Sequence, residues 1–430
     1  MDAFFSMTGI ESFAVSVASL FIMLGIIVFV HELGHYITAR VLGIQVHEFA
    51  LGMGPLIKQF ERVKEVRKAN KTYKYRTLWS LRIIPFGGFC RMAGMGAETR
   101  EDSDGKSGAM DMGEEYDDQP VIPGMGFNEQ PTWKRFFILL NGSAANVILA
   151  LLLVAAFLCG YGVMDMYDTR IGTLLEGFPA QREGFQAGDR ILEVNGERVT
   201  EWREMSGRLR QAANEGDVTF TVERGDLIFT ITTELPFSPT HGYPMLGITP
   251  AMRRYSIPEG LIGSVSHIRG MTALMLRGIG NMVTRRTQEI DVMGPVGIAS
   301  MSGRAMRDGV WSFITLLALI SLNIGLLNLF PIPALDGGRI IFVLLEMVLR
   351  FLELTFRFMG ATFRFLGTIF QFLGVPLRFL EKISRFLEAI FRRRLPEKVE
   401  NWIHTAGFML LISLMILVTW RDIYNLFFMG

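Results

Sequence analysis

The chain has 430 residues, half of them hydrophobic, and a mean hydropathy of +0.32. Soluble globular domains rarely average so high, and a formal net charge of +1 excludes a molecule whose bulk charge recruits nucleic acid. Two cysteines, Cys90 in a basic loop and Cys159 in an apolar run, give no basis for a disulfide framework or a cysteine metal site.

Four apolar stretches, at 12–36, 136–160, 310–334 and 404–428, reach the ~20 residues that a membrane-spanning helix needs. The first lacks the basic start and small-residue cleavage site of a signal peptide and is expected to be retained. It carries His31-Glu32-Leu33-Gly34-His35. Residues four apart on a helix share a face, so both imidazoles can reach one ion. Glu32 is placed to take a proton from a water on that ion. Catalytic zinc keeps an open position beside three protein ligands. The plain alternative is a pair of histidines at a helix end. Ionisable groups inside an apolar span are costly, however, and point to function.

Beyond the first span, Lys58 to Arg76 form a basic loop. Residues 72–95 read as a short strand pair turning at Gly87-Gly88, and residues 96–130 as an acidic, mobile loop with little to bury. After the second span, residues 165–250 read as a small α+β module. Its signals are an Asn195-Gly196 hairpin turn, a helix over 201–213 and a second hairpin turning near Gly225-Asp226. Residues 257–290 read as helices near the membrane surface.

The third span ends in Asn323-Ile-Gly-Leu-Leu-Asn328-Leu-Phe-Pro331-Ile-Pro333-Ala-Leu-Asp336-Gly337-Gly338. The prolines open the helix and let Asp336 turn inward as a third ligand. Its plain alternative is a turn aspartate before Gly-Gly, and Glu346 is the runner-up ligand. From Arg350 to Leu387 an Arg-Phe-Leu pattern recurs every seven residues, with Gln371 in place of one arginine and Met359 of one leucine. This basic amphipathic stripe suits a helix in the headgroup region, or one packed on the protein itself. Pro376 should kink it. His47, His241, His267 and His404 read as solvated or interfacial. Lys/Arg-rich loops place the 58–76 and 350–394 segments in the cytoplasm, and both termini and residues 165–305 on the far side.

These motifs resemble the site-2 protease family of intramembrane zinc metalloproteases. HELGH and NLFPIPALDGG carry the likeness. PTWKRFFILLNGSAANVILA at 131–150 with Asn146, GPVGIA at 294–299 and GGF at 87–89 extend it. Ser143 stands where the family usually has proline, and the 350–392 repeat exceeds the usual connection between the last two spans. The resemblance implies a polytopic α-helical membrane protein with about four spans, a membrane-associated β-loop and an extracytoplasmic α+β PDZ domain. It implies Zn2+ on His31, His35 and Asp336, with Glu32 as catalytic base. Asn323 and Asn328 match its substrate-handling asparagines, whose plain reading is polar packing between helices. Gly87, Gly88 and Phe89 match the β-loop, which would bind substrate as an added strand. Gly184 and Phe185 lie in a candidate peptide-binding stretch of the PDZ-like module, which could equally act as a size filter.

The implied organisation is a first span with β-loop over 1–95, an acidic loop over 96–135, a second span over 136–160 and a PDZ domain over 165–250. Surface helices follow over 251–309, a third span over 310–345, an amphipathic segment over 346–403 and a fourth span over 404–430. The implied partners are the lipid bilayer and single-span membrane proteins, such as anti-sigma factors pre-cut by another protease, or remnant signal peptides; no nucleic acid is expected. The implied location is a bacterial inner membrane, with the active site near the cytoplasmic side. Two other classes stay open at this point: a non-catalytic PDZ scaffold, which would not need all four site residues, and a metal transporter, for which inverted repeats are lacking.

Overall fold

The computed structural model describes residues 7–68, 70–95, 120–212, 216–238, 243–284, 294–371 and 397–428. The chain divides into two compact units, Met1–Leu153 with His267–Gly430, and Val154–Ser266.

The first unit opens with helix α1 (Met7–Val41). Gly43, at φ +82, ends it: the Ile44 N–H donates to Ala39 O and the Gly43 N–H to Arg40 O. This paired closure satisfies carbonyls of the last turn and redirects the chain. Strands β1 (Val46–Lys68) and β2 (Lys71–Met92) then form one long antiparallel hairpin. It turns at Asn70, at φ +60, not at Gly87-Gly88. The strand pair is thus far larger than the 72–95 loop expected, because the basic run forms its outer arms. Nearer α1 the pairing doubles: Phe49 pairs with both Trp79 and Cys90, and Leu51 with both Leu81 and Gly88. Residues 88–92 therefore lie at an edge of the sheet, beside 46–51.

The acidic segment is only partly as expected. Residues 96–119 lie outside the described residues, but 120–130 dock tightly. Ile122, Met125 and Phe127 are buried. Gln45 accepts from the Ile122 N–H and donates to Pro120 O.

Helix α2 (Thr132–Gly160) runs from the first unit into the second. In the second unit come β3 (Val163–Met164), β4 (Ile171–Leu174), α3 (Pro179–Arg182), β5 (Arg190–Val194), β6 (Glu197–Arg198) and α4 (Trp202–Ala212). Next are β7 (Val218–Arg224), β8 (Leu227–Thr233), β9 (Phe237–Ser238), β10 (Tyr243–Pro244), β11 (Ile248–Pro250) and β12 (Met252–Arg253). A four-stranded sheet of order β6-β5-β7-β8 packs Ile191, Val194, Phe220 and Val222 against Trp202, Met205 and Leu209 of α4. The expected hairpins are present. Asn195 and Gly196 both have positive φ, as a tight two-residue turn requires. β11 pairs with β4.

Helix α5 (Ile257–Val283) is one continuous helix. Helix α6 (Pro295–Asp308) does not lie on a surface but packs into the first unit. Ala305 joins Leu20, Met23 and Ile27 of α1 in a core shared with α7 (Val310–Leu327), and Gly303 lies directly against Ser16. The third span ends at Leu327; residues 328–335 are irregular, and α8 (Asp336–Gln371) starts a new helix. The 310–345 segment is thus interrupted where the prolines fall. The seven-residue pattern is helical to Gln371; 372–396, with Pro376, lies outside the described residues. Helix α9 (Glu397–Phe428) closes the unit. Four helical segments, Glu11–Val41, Thr132–Gly160, Val310–Leu327 and Trp402–Tyr424, are long and apolar enough to cross a membrane.

Candidate metal centre

His31 and His35 stand one turn apart on α1 and are both buried. Asp336 reaches them from the first residue of α8. Its Oδ2 lies 3.0 Å from His31 Nε2 and 3.2 Å from His35 Nε2, and the two Nε2 atoms are 3.3 Å apart. Ligands about 2.0–2.1 Å from a tetrahedral zinc ion stand about 3.3 Å from one another. The three donors therefore have the spacing of one face of that tetrahedron. His35 Nδ1 donates to Ile138 O at 2.8 Å, which turns the Nε2 lone pair of the neutral ring toward the triangle. With Nε2 unprotonated on both rings, these three acceptors suit a cation at their centre.

His31 meets a side chain of α2 instead. Asn146, fully buried, has Nδ2 3.4 Å from His31 Nδ1 while its Oδ1 has no partner among the described residues. An amide turned so that Oδ1 faces the ring accepts the Nδ1–H, satisfies both groups and frees Nε2 for a metal. Gly142 makes the site possible: a Cβ there would come within 2.2 Å of His35 Nε2. Gly34 plays the same part on α1, where a Cβ would lie 2.3 Å from Asn141 O.

Glu32 faces the β-hairpin. Its carboxylate accepts the Cys90 backbone N–H. Gly88 lies so close that a Cβ would meet Val28 Cγ1 at 3.0 Å and Glu32 Cγ at 3.4 Å. The edge strand thus runs beside the glutamate. Phe89 pairs with Ala50, and the Arg82 guanidinium lies over its ring at 5.3 Å. Gly87, at φ +84, abuts Met53.

Asn328, at the end of α7, brings Nδ2 to 3.5 Å from His31 Nε2, and its carbonyl accepts the Gly337 N–H. Asn323 is half-buried on α7, five residues earlier. Glu346 takes no part in the cluster: it pairs with Arg135 of α2 and, at 2.7 Å, with Arg350. Phe185 is buried in the second unit. Its ring lies in the core edge-on to Phe220, and its N–H donates to Ala180 O. Gly184, at φ +85, offers its carbonyl to Arg224. His404 is not simply interfacial, since its Nδ1 accepts the Ala334 N–H. Asn141, which donates to Thr38 Oγ1 at 2.6 Å, was signalled only as a polar residue within an apolar run.

A model of the family described as Peptidase family M50 matches residues 19–366. The protein named "Putative zinc metalloprotease FN1322" of Fusobacterium nucleatum is 32% identical over 331 residues, 76% of this chain and 87% of that protein. Zinc metalloprotease RasP of Geobacillus kaustophilus is 26% identical over 476 aligned positions, 96% of this chain and 98% of RasP. Among solved structures, the PDZ domain of the SdrC-like protein (Lmo2051) of Listeria monocytogenes aligns with 20% of this chain and 93% of its own, at 24% identity and a TM-score of 0.18.

Proposed function

The chain belongs to peptidase family M50 and is an integral-membrane zinc metalloprotease of the site-2 type; from that premise we propose that His31, His35 and Asp336 hold the zinc and that Glu32 is the general base. The observation that carries this reading is the convergence of three donor atoms, from two helices, within 4.8 Å of one another. Bound zinc supplies Lewis acidity toward water and toward a peptide carbonyl. Glu32 takes the proton from the attacking water and passes it to the leaving amine. Asn328, beside His31, is aimed at the same space and suits a donor to the developing negative charge.

A transmembrane helix shields its peptide bonds with its own hydrogen bonds, so a substrate must unwind before it is cut. The sheet edge at Gly88 to Cys90 supplies the alternative partner. A segment added there as a strand exchanges helical hydrogen bonds for ladder bonds directly beside Glu32. Substrates are then single-span membrane proteins, of the anti-sigma-factor kind or remnant signal peptides, shortened by an earlier cut. The second unit is read as a PDZ domain that selects such shortened substrates. With the core closed around Phe185, selection by size, or through the β11 strand edge, is favoured over a pocket at 183–186. The lysine- and arginine-rich hairpin arm and start of α8 support a cytoplasmic side for the catalytic end, with the second unit on the far side of a bacterial plasma membrane. The Arg-Phe-Leu stripe of α8, with Phe351, Leu354 and Phe358 exposed, is read as lying in the headgroup layer.

The test is Glu32→Gln in the full-length protein. Zinc content is expected to stay at wild-type level while cleavage of a single-span reporter drops by at least about 100-fold. Undiminished cleavage would remove Glu32 from its role. A scaffold predicts no cleavage by either form, and a transporter predicts zinc flux, so one vesicle assay separates all three.

A further inference from the structure

The last helix is the least covered of the four spans: among the described residues, none of its apolar stretch is fully buried. Yet near its start it grips one segment. The Ala334 N–H donates to His404 Nδ1 at 2.9 Å. The His404 ring stands edge-on to Phe342 of α8, with centroids 5.7 Å apart. Gly407, one turn on, touches Pro333 so closely that a Cβ would lie 2.3 Å from Pro333 Cβ. The gripped segment carries Asp336. Ala334 itself sits at φ +79, one of three non-glycine residues at positive φ among the described residues. Alanine has no side-chain hydrogen bond to favour that conformation, so it persists only where its surroundings impose it. The other two are asparagines, Asn70 and Asn195, which adopt it in turns.

We propose that His404 is a positioning residue of the zinc site: by holding the Ala334 amide it fixes the left-handed turn that aims Asp336 at His31 and His35. The inference rests on the reading of Asp336 as a zinc ligand. Its physical content is an acceptor at a fixed place. The chain leaves α7 at Asn328 and re-enters a helix at Asp336, and the intervening residues are tied by short-range bonds, Ile332 N–H to Phe330 O and Leu335 N–H to Ile332 O. Those bonds join the segment to itself. The His404 contact joins it to a different helix, and so sets its direction relative to α1.

The experiment measures zinc retention by the full-length, detergent-purified, zinc-loaded protein against rising EDTA, together with reporter cleavage. His404→Phe keeps a ring against Phe342 and removes the acceptor; it is expected to weaken zinc retention about 10- to 100-fold, as loss of an orienting partner does. His404→Asn can place Oδ1 where Nδ1 stands and is expected to remain within about threefold of wild type on that same scale. Adding Ala334→Gly to His404→Phe is expected to recover part of the loss, since glycine adopts positive φ unaided. Wild-type retention by His404→Phe overturns the proposal. Equal losses in the Phe and Asn variants overturn it too, since the hydrogen bond would then not be the cause. Asp336→Ala run alongside separates the two levels: wild-type retention there overturns the ligand reading itself, and the inference with it.

Discussion

His35 and His31 present Nε2 to the same point because each has its Nδ1 occupied, by Ile138 O in one case and Asn146 in the other. If the Asn146 amide accepts from His31, Asn146→Asp, which can only accept, should retain zinc. Asn146→Ala should then lose about 10- to 100-fold in zinc affinity; chelator competition checks both. Failure of the Asp variant alongside Ala would mean that a donor is needed, and that His31 presents the wrong tautomer for a metal. Gly142→Ala tests the site sterically. Its Cβ would stand 2.2 Å from His35 Nε2 and 2.5 Å from Cε1, so the imidazole must vacate its place. The expected outcome is folded protein with little bound zinc, read by metal analysis beside a far-UV spectrum.

At the scale of elements, the hairpin edge carries substrate in the proposed scheme, and Gly88 is its tightest point. Gly88→Val puts a Cβ 2.8 Å from Ala50 O and 3.0 Å from Val28 Cγ1, and must push residues 88–90 away from Glu32. Zinc content should stay unchanged while reporter cleavage falls at least about tenfold, because this edge orients substrate without touching the metal donors. Loss of zinc and activity together would make the strand part of the metal site instead. Elements with local signals were legible in the sequence. The His31-to-His35 spacing, the proline-broken approach to Asp336, and the Asn195-Gly196 and Gly225-Asp226 hairpin turns each need only a few neighbouring residues. The full hairpin was not, because Lys58 to Arg76 read as a basic loop until their partners are known, and Phe49 and Leu51 each pair twice with residues far along the chain. The docking of Ile122 and Met125, the packing of α6 and the grip of His404 on Ala334 likewise depend on contacts between distant positions. That Phe185 anchors the core was not legible either, because a Gly-Phe pair marks a loop as readily as a core anchor, and only burial separates the two.

At the scale of the molecule, the proposed zinc donors all belong to the first unit, while the second unit has its own core of Ile191, Met205, Phe220 and Val222. The two should therefore lose structure independently, and a charge pair in the second unit allows one to be weakened alone. Asp189, 1% exposed, receives Arg224 Nε and Nη2, each at 2.7 Å, and the Gln186 N–H. Burial by itself would raise its pKa. The Arg224 hydrogen bonds and the Gln186 amide outweigh burial and hold the carboxyl below the ordinary aspartate value. A group whose pKa is lowered by folding stabilises the fold above its unfolded pKa, and that contribution disappears as pH falls through the folded one. Amide hydrogen-exchange protection over 190–233, measured in the full-length protein and corrected for intrinsic rate, should thus be level above about pH 5 and decline below about pH 4. Arg224→Ala leaves the buried Asp189 carboxylate without its charged partner. It should lower protection at neutral pH and flatten that acid decline, because the carboxyl then loses its reason to stay ionised. Zinc retention should match wild type throughout. Zinc loss in step with the second unit's unfolding would show that the units are energetically joined, and that a substrate engaging one could alter chemistry in the other.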